Sequence, residues 1–202
     1  MNPGFLLALE GIDGSGKSTA AEGIVSALRA DGRTVLATRE PSEGAWGRRI
    51  REMAASGQTV GPAEELRWFM EDRREHVAQV IAPALAAGNV VVTDRYFLSS
   101  VAYQGGRGLD WRRILDEAEA EFPLPDLALL FEIDPAAGLA RTRDRGRRAE
   151  PAFEERRFLI RVAAIYEAVE RPWLQRVPAQ RGPEAVLADA LGRVRAALAA
   201  RA

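Results

Sequence analysis

A glycine-rich loop between a short apolar segment and a helical segment constrains the fold of this chain most. Phe5–Leu9 is apolar throughout, as a buried strand would be, and Ser18–Ala30 has helical periodicity. The loop between them matches G-x-x-x-x-G-K-[ST], a pattern whose backbone N–H groups surround a phosphate at a helix N-terminus. The residues predicted to bind ATP or GTP are Gly11, Ile12, Asp13, Gly14, Ser15, Gly16, Lys17, Ser18 and Thr19.

Two side chains of this loop carry specific chemistry. In such loops the lysine reaches the β- and γ-phosphates, and the hydroxyl that follows it is a ligand of Mg²⁺. Lys17 and Ser18 hold these positions, and Lys17 is the one lysine of the chain. We therefore predict that Lys17 is catalytic and that Ser18 binds Mg²⁺.

The rest of the chain alternates short apolar runs with helical segments. This alternation is typical of a parallel sheet with helices on both faces, in which ligands bind beyond the carboxyl ends of the strands. We predict one α/β domain over residues 1–202. The further predicted strands are Thr34–Thr38, Val90–Val92, Leu127–Ile133 and Trp173–Val177, and the further predicted helices are Ala45–Ala55, Ala63–Ala87, Pro135–Arg143, Phe153–Val169 and Glu184–Ala200.

Composition excludes several other classes of protein. The 202 residues include no cysteine and one histidine, His76, so disulfides, thiolate metal sites and multi-histidine metal sites are excluded. The net charge of -1 does not favour nucleic acid as a partner. The chain shows neither a signal peptide nor an uncharged apolar run of about 18 residues, so we expect a cytoplasmic protein without membrane contact.

Two charged segments lie where a phosphoryl-transfer site would need them. Asp94 follows the most apolar predicted strand and could hold Mg²⁺. Arg95, next to it, could bind a phosphoryl group through two hydrogen bonds; an ordinary strand-end ion pair is the alternative. A basic cluster within about 141–153 could close as a lid over the reaction, or could be a solvated surface. Its candidate catalytic residues are Arg143, Arg145, Arg147 and Arg148.

These segments together resemble the bacterial thymidylate kinase family. The resemblance covers roughly residues 4–170 and includes the phosphate loop, Thr38-Arg39-Glu40-Pro41, Asp72-Arg73 with His76, and Asp94–Gly105. The last segment, which matches D-R-Y-x-x-S-S-x-A-Y-Q-G, is the most specific. The resemblance implies a three-layer P-loop kinase fold with an arginine-rich lid. It also implies a homodimer that transfers a phosphoryl group from ATP to dTMP with Mg²⁺, a step in making DNA precursors.

The resemblance also implies roles for individual residues. Phe69 would stack on thymine and Arg73 would bond to the base, although Phe69 could instead be plain core. Arg95 would hold the dTMP phosphate, Asp13 would face the acceptor, and Tyr103 would disfavour a ribose 2′-hydroxyl. The remaining residues that the resemblance assigns to the acceptor site are Arg39, Glu40, Ser99, Ser100 and Gln104.

The sequence departs from the family pattern at identifiable positions. Glu43 stands where the family has a glycine, and Ser15 stands where some members carry an arginine, so the lid would supply that charge. Two alternatives therefore remain open at this point. One is a related kinase with another nucleotide or a deoxynucleoside as acceptor, and the other is a catalytically weak ATP-binding regulator.

Overall fold

The computed structural model describes residues 4–143 and 152–201. Five parallel strands form one sheet in the order β2-β3-β1-β4-β5. The strands are β1 Phe5–Glu10, β2 Val35–Arg39, β3 Val90–Asp94, β4 Leu127–Glu132 and β5 Leu174–Pro178. The predicted parallel five-stranded α/β sheet is therefore confirmed, and each predicted strand lies within two residues of an observed one.

Helices lie around this sheet and connect its strands. In chain order they are α1 Lys17–Ala30, α2 Ala45–Ser56, α3 Pro62–His76, a π-helix Val77–Ile81, α4 Ala82–Ala86, α5 Phe97–Gly106, α6 Trp111–Glu121, α7 Pro135–Arg143, α8 Ala152–Ala168 and α9 Pro183–Ala200. Helix α1 packs against α9, while α5 packs against α3, α6 and α8. Within the described ranges, no helix has both the length and the apolar character needed to cross a membrane.

The core is built from the central strands because they are covered on both faces. Every residue of β1 is buried, and in β3 the three consecutive valines at 90–92 are at most 4% exposed. Strands without a polar face are typical of parallel sheets. The carboxyl ends of β1 and β3 meet at one edge, because the register pairs Leu9 with Asp94. This edge brings the phosphate loop and Asp94 together.

The helical segment predicted as Ala63–Ala87 is not one regular α-helix. It begins at Pro62 and remains helical to Ala86, but Val77–Ile81 form a π-helical turn. A π turn holds an extra residue in the helix, and such turns are frequent near functional sites. Ile81, at the end of this turn, is fully buried in the core.

Candidate active site

The phosphate loop follows β1 and opens α1, as the sequence predicts. Gly14 has φ +81°, and a Cβ at this position would overlap the backbone oxygen of Gly138 at the start of α7. Gly14 is therefore required both by its left-handed backbone and by the close approach of α7. Ser15 is buried, and its hydroxyl makes no hydrogen bond among the described residues. Because serine is uncharged, this position presents no cation to a phosphate.

Lys17, Asp13 and Arg95 form one charged cluster at the loop. Arg95 Nη2 donates to Asp13 Oδ1 at 2.6 Å, and Lys17 Nζ lies 3.8 Å from the same oxygen. Lys17 is only 5% exposed, and burial, together with the charge of Arg95, lowers its pKa to about 8. Three of the seven residues predicted to be catalytic are thus neighbours, the other four being the lid arginines.

Arg95 also joins the phosphate loop to α5. Its Nη1 donates to Ser99 Oγ at 2.9 Å and to the Gly11 backbone oxygen at 3.3 Å. Its Nη2 donates to Tyr103 Oη at 3.3 Å, and its guanidinium lies 5.0 Å from the Tyr103 ring centre. The ion pair that Arg95 makes is with Asp13 of the phosphate loop.

A buried carboxylate, Glu10, holds the turn that carries Arg95. Arg95 has φ +75°, an unusual conformation for a residue with a side chain. Glu10 is fully buried, and its two oxygens accept hydrogen bonds from Tyr96 N, Ser99 N, Ser99 Oγ and Tyr166 Oη. Burial is the main cause that raises the pKa of Glu10 to about 7. Glu10 thereby fixes the backbone that follows Arg95, at Tyr96 and Ser99.

Ser18 and Asp94 meet where the Mg²⁺ ligands are predicted. Ser18 Oγ donates to Asp94 Oδ2 at 2.5 Å. Asp94 Oδ1 is buried and has no hydrogen-bond partner in the described part of the chain. An orphaned carboxylate oxygen beside a hydroxyl fits a hard, oxygen-seeking cation. Residues 4–143 and 152–201 contain no cluster of three or more acidic, histidine or cysteine side chains that could hold a metal. A magnesium ion here would therefore take its further ligands from water or from phosphate oxygens.

The predicted acceptor residues on α3 and α5 face one another. Arg73 Nη2 donates to Ser100 Oγ at 3.0 Å, and Arg73 is 1% exposed. Gln104 lies one turn further along α5 and bonds to Glu65, two turns before Arg73 on α3. Phe69 lies between these two contacts in the sequence of α3 and is only half-buried. It is not part of the apolar core cluster, so plain core packing does not explain it.

Glu40 orients Arg73 through a buried ion pair. Glu40 Oε2 accepts from Arg73 Nε at 2.9 Å and from Nη2 at 2.6 Å, and both side chains are almost fully buried. His76 completes the group, with Nδ1 3.2 Å from Glu40 Oε1 and Nε2 2.6 Å from Thr38 Oγ1. Glu40, predicted as an acceptor-site residue, therefore contacts Arg73 and His76.

Arg39 is more exposed than the other predicted acceptor residues. Its guanidinium bonds to Glu43 Oε1 at 2.8 Å, and Arg51 bonds to the other Glu43 oxygen at 2.9 Å. The carboxylate that departs from the family pattern is thus paired with two arginines, which lower its pKa. Arg39 and Glu43 line a cavity of about 1100 Å³ that also reaches Ser18, Asp94 and His76. Arg39 is therefore near the predicted metal site.

Most of the expected lid lies outside the described residues. This applies to Arg145, Arg147 and Arg148, and the side chain of Arg143 is likewise outside the description. The expected lid range of about 141–153 includes the end of α7 and the start of α8. Arg141, within α7, donates to the backbone oxygens of Gly14 and Ala179 at 3.4 and 3.3 Å. The helix leading into the lid segment is thus bonded to the phosphate loop.

Comparison with known proteins decides the family. The sequence model of the thymidylate kinase family matches residues 9–190. The chain belongs to the thymidylate kinase family. Thymidylate kinase from Xanthomonas oryzae pv. oryzae is 43% identical over 198 residues, which cover 98% of this chain and 86% of that protein. Thymidylate kinase from Xanthomonas campestris pv. campestris is 44% identical over 199 residues, with the same coverage. The Xylella fastidiosa thymidylate kinase is 41% identical over 198 residues, covering 98% of this chain and 90% of that protein.

Two residues beside the thymidylate kinase motifs were not predicted to contribute to the site. Glu10 ends β1 directly before the loop, and a carboxylate closing an otherwise apolar strand was an available signal. Glu65 has no such local signal, because its contact with Gln104 joins residues that are distant in the sequence. Both are buried and both contact residues that the sequence assigned to the site.

Proposed function

We propose that this thymidylate kinase transfers the γ-phosphoryl group of ATP to dTMP, giving ADP and dTDP for DNA precursor synthesis. The bond between the γ-phosphorus and its bridging oxygen breaks, and a bond forms to an oxygen of the dTMP phosphate. The observation that carries the proposal is the position of Arg95, which bonds to Asp13 of the phosphate loop and to Ser99 of α5. A cation held between these elements can contact the donor and acceptor phosphates together.

On the donor side, the backbone of residues 11–19 would bind the ATP phosphates, and Lys17 would contact the β- and γ-phosphates. Ser18 and Asp94 would hold Mg²⁺, because their oxygens lie together and one Asp94 oxygen lacks a partner. When bound, Mg²⁺ neutralises charge on the transferring phosphoryl group. Asp13 would orient Arg95 and Lys17 toward the phosphates, since it contacts both.

On the acceptor side, the half-buried ring of Phe69 is available to stack on a base. Arg73 would donate to the base carbonyl, with Glu40 and Ser100 fixing its guanidinium. Tyr103 would lie beneath the sugar, where it leaves no room for a 2′-hydroxyl. The other proposed contributors to acceptor binding are Arg39, Ser99 and Gln104.

The reaction needs no protein general base. The attacking phosphate oxygen of dTMP is already anionic, so catalysis consists mainly of positioning and of charge stabilisation. Lys17 and Arg95 supply two cations, and the buried Ser15 supplies none. We assign the additional positive charge to the lid, to Arg143, Arg145, Arg147 and Arg148.

A coupled ADP-release assay tests the proposal directly. The wild-type protein should phosphorylate dTMP in preference to dUMP, UMP, dCMP, AMP and thymidine. If the protein prefers another of these compounds, that compound and not dTMP is its acceptor. ATP binding without turnover of any acceptor would favour the regulator considered from the sequence, which no feature of the described residues supports.

The family resemblance also supports a homodimer in the cytoplasm. Sedimentation equilibrium should give twice the chain mass of 22.1 kDa. A mass equal to a single chain would contradict the dimer. Fractionation of cells that express the protein would test its location separately.

A further inference from the structure

Helices α3 and α5 are joined by two polar contacts, one on either side of Phe69. Glu65 bonds to Gln104 and Arg73 bonds to Ser100, so the helices run in opposite directions across this interface. Residues at 65, 69 and 73 fall on one face of α3 because they are spaced by about one turn. The half-buried Phe69 ring therefore has a polar pair on each side.

Glu65 determines which end of the Gln104 carboxamide faces it. Gln104 Nε2 donates to Glu65 Oε2 at 3.1 Å, and Arg107 Nε lies 3.1 Å from the same oxygen. An ionised carboxylate only accepts hydrogen bonds, so the amide nitrogen has to face Glu65. Both Glu65 and Gln104 are nearly inaccessible, with 7% and 2% exposure.

This orientation leaves the amide oxygen of Gln104 without a partner. Gln104 Oε1 is buried and makes no hydrogen bond with any described residue. A buried acceptor without a donor costs about 1–3 kcal/mol, so a donor from a ligand would be favourable at this atom. Arg73, on the other side of Phe69, presents only N–H donors. The pair thus offers one acceptor and one donor to a flat group stacked on Phe69.

We propose that Glu65 is a positioning residue that sets acceptor-base specificity by fixing the Gln104 oxygen toward the base. The inference rests on the proposed function, in which dTMP is the acceptor. Thymine has an N3–H donor beside its C4 carbonyl, which complements the Gln104 oxygen and the Arg73 guanidinium. Cytosine has an N3 acceptor and a C4 amino group, so both of its contacts are mismatched.

The orientation depends on an oxygen at position 65 and not on its charge alone. In Glu65→Gln, Arg107 still selects the oxygen of the new amide, so Gln104 keeps its orientation. In Arg107→Met, the carboxylate of Glu65 still accepts only. In the double variant, either orientation of the two amides becomes possible, because both constraints have been removed. In Glu65→Met, position 65 offers no oxygen acceptor, so the Gln104 amide likewise loses its fixed orientation.

The experiment measures the ratio of kcat/KM for dTMP to kcat/KM for dCMP in each variant. Glu65→Gln and Arg107→Met should each keep this ratio within about threefold of wild type. Glu65→Met and the double variant should each lower it at least about tenfold, the effect of one reoriented buried hydrogen bond. Glu64→Met is the matched control, because Glu64 is a partly exposed neighbour that bonds to Arg67 and Trp68. It should leave the ratio unchanged.

The outcomes separate this inference from the proposed function. If wild type does not phosphorylate dTMP, the proposed function fails and the ratio is not defined. If wild type is active but Glu65→Met and the double variant lower both kcat/KM values equally, Glu65 is only structural and the inference is overturned. Should Glu65→Met not fold, the double variant decides, because its side chains keep nearly the original volume.

An N3-methyl analogue of dTMP gives a binding readout: wild type should bind it at least tenfold more weakly than dTMP, and Glu65→Met should narrow that difference. Equal wild-type binding of both would contradict the inference.

Discussion

Replacing Glu10 by glutamine should change how the stability of this protein depends on pH. Glu10 is fully buried at the end of β1, and its oxygens accept from two backbone N–H groups and two hydroxyls. The glutamine oxygen can accept from the backbone groups, and its NH₂ can donate to Ser99 Oγ and Tyr166 Oη, because a hydroxyl also accepts. The variant therefore resembles the protonated form of Glu10 and should fold.

The size of the effect follows from the pKa of Glu10. Burial raises this pKa from 4.5 to about 7, so the native state binds more protons than the unfolded state between these values. The contribution of Glu10 to the free energy of unfolding is therefore greatest below pH 4.5 and falls as the pH rises to about 7. The total loss is about 3 kcal/mol, at 1.36 kcal/mol for each pKa unit. Glutamine does not titrate, so the variant lacks this loss.

Urea unfolding of both proteins at several pH values between 5 and 7.5 measures the difference. The free energy of unfolding of Glu10→Gln minus that of wild type should rise by about 2–3 kcal/mol across this range. Lys17 does not affect this measurement, because burial lowers its pKa to about 8. The contribution of Lys17 to the free energy of unfolding therefore changes mainly above pH 7.5. Glu22→Gln, at an exposed position, controls for the loss of one negative charge. A difference that stays constant with pH would refute the argument that Glu10 is protonated in the native protein near pH 6.

Three further sets of substitutions test the assigned roles. Lys17→Ala should lose at least about a hundredfold in kcat while keeping its circular dichroism spectrum, because it removes a cation from the transferring phosphoryl group; near wild-type turnover or an unfolded protein would contradict this role. Tyr103→Ala should relax the preference for dTMP over UMP by roughly 1–3 kcal/mol in relative kcat/KM, and equal use of the two substrates by wild type would remove the basis for this assignment. Each single change of a lid arginine to alanine should lower kcat about tenfold. The combined change of all four to alanine should lower kcat far more than it raises the KM for ATP, and the opposite result would make the cluster a binding surface. The four residues are Arg143, Arg145, Arg147 and Arg148.

The strands and the phosphate loop could be predicted because their signals are local. Three consecutive valines in β3 leave no polar face, and the loop pattern lies within residues 11–19. The neighbourhood of Lys17 and Asp94 then follows from strand order, since the carboxyl ends of adjacent parallel strands share one edge.

Contacts between distant segments could not be read from the same signals. Asp94–Gly105 form a recognisable motif, but this pattern of residues does not show that Phe97–Gly106 form a helix that packs against α3. The pairing of Glu65 with Gln104 depends on how α3 and α5 pack, as does the pairing of Glu40 with Arg73. Such pairings are set by tertiary packing and not by periodicity within one element.

The π-helical turn at Val77–Ile81 makes the length of this helical segment a property that mutation cannot change freely. The turn holds one extra residue, so removing one residue there would leave a regular α-helix whose two ends keep their relative orientation. The same deletion between Arg73 and the turn, in the α-helical part of α3, would rotate one side against the other by about 100°. The downstream side is fixed, because Ile81 is buried in the core and the backbone of Leu85 packs closely against Gly4. That deletion would therefore carry Arg73 away from α5, whereas a single-codon deletion within the turn would leave the acceptor residues in place.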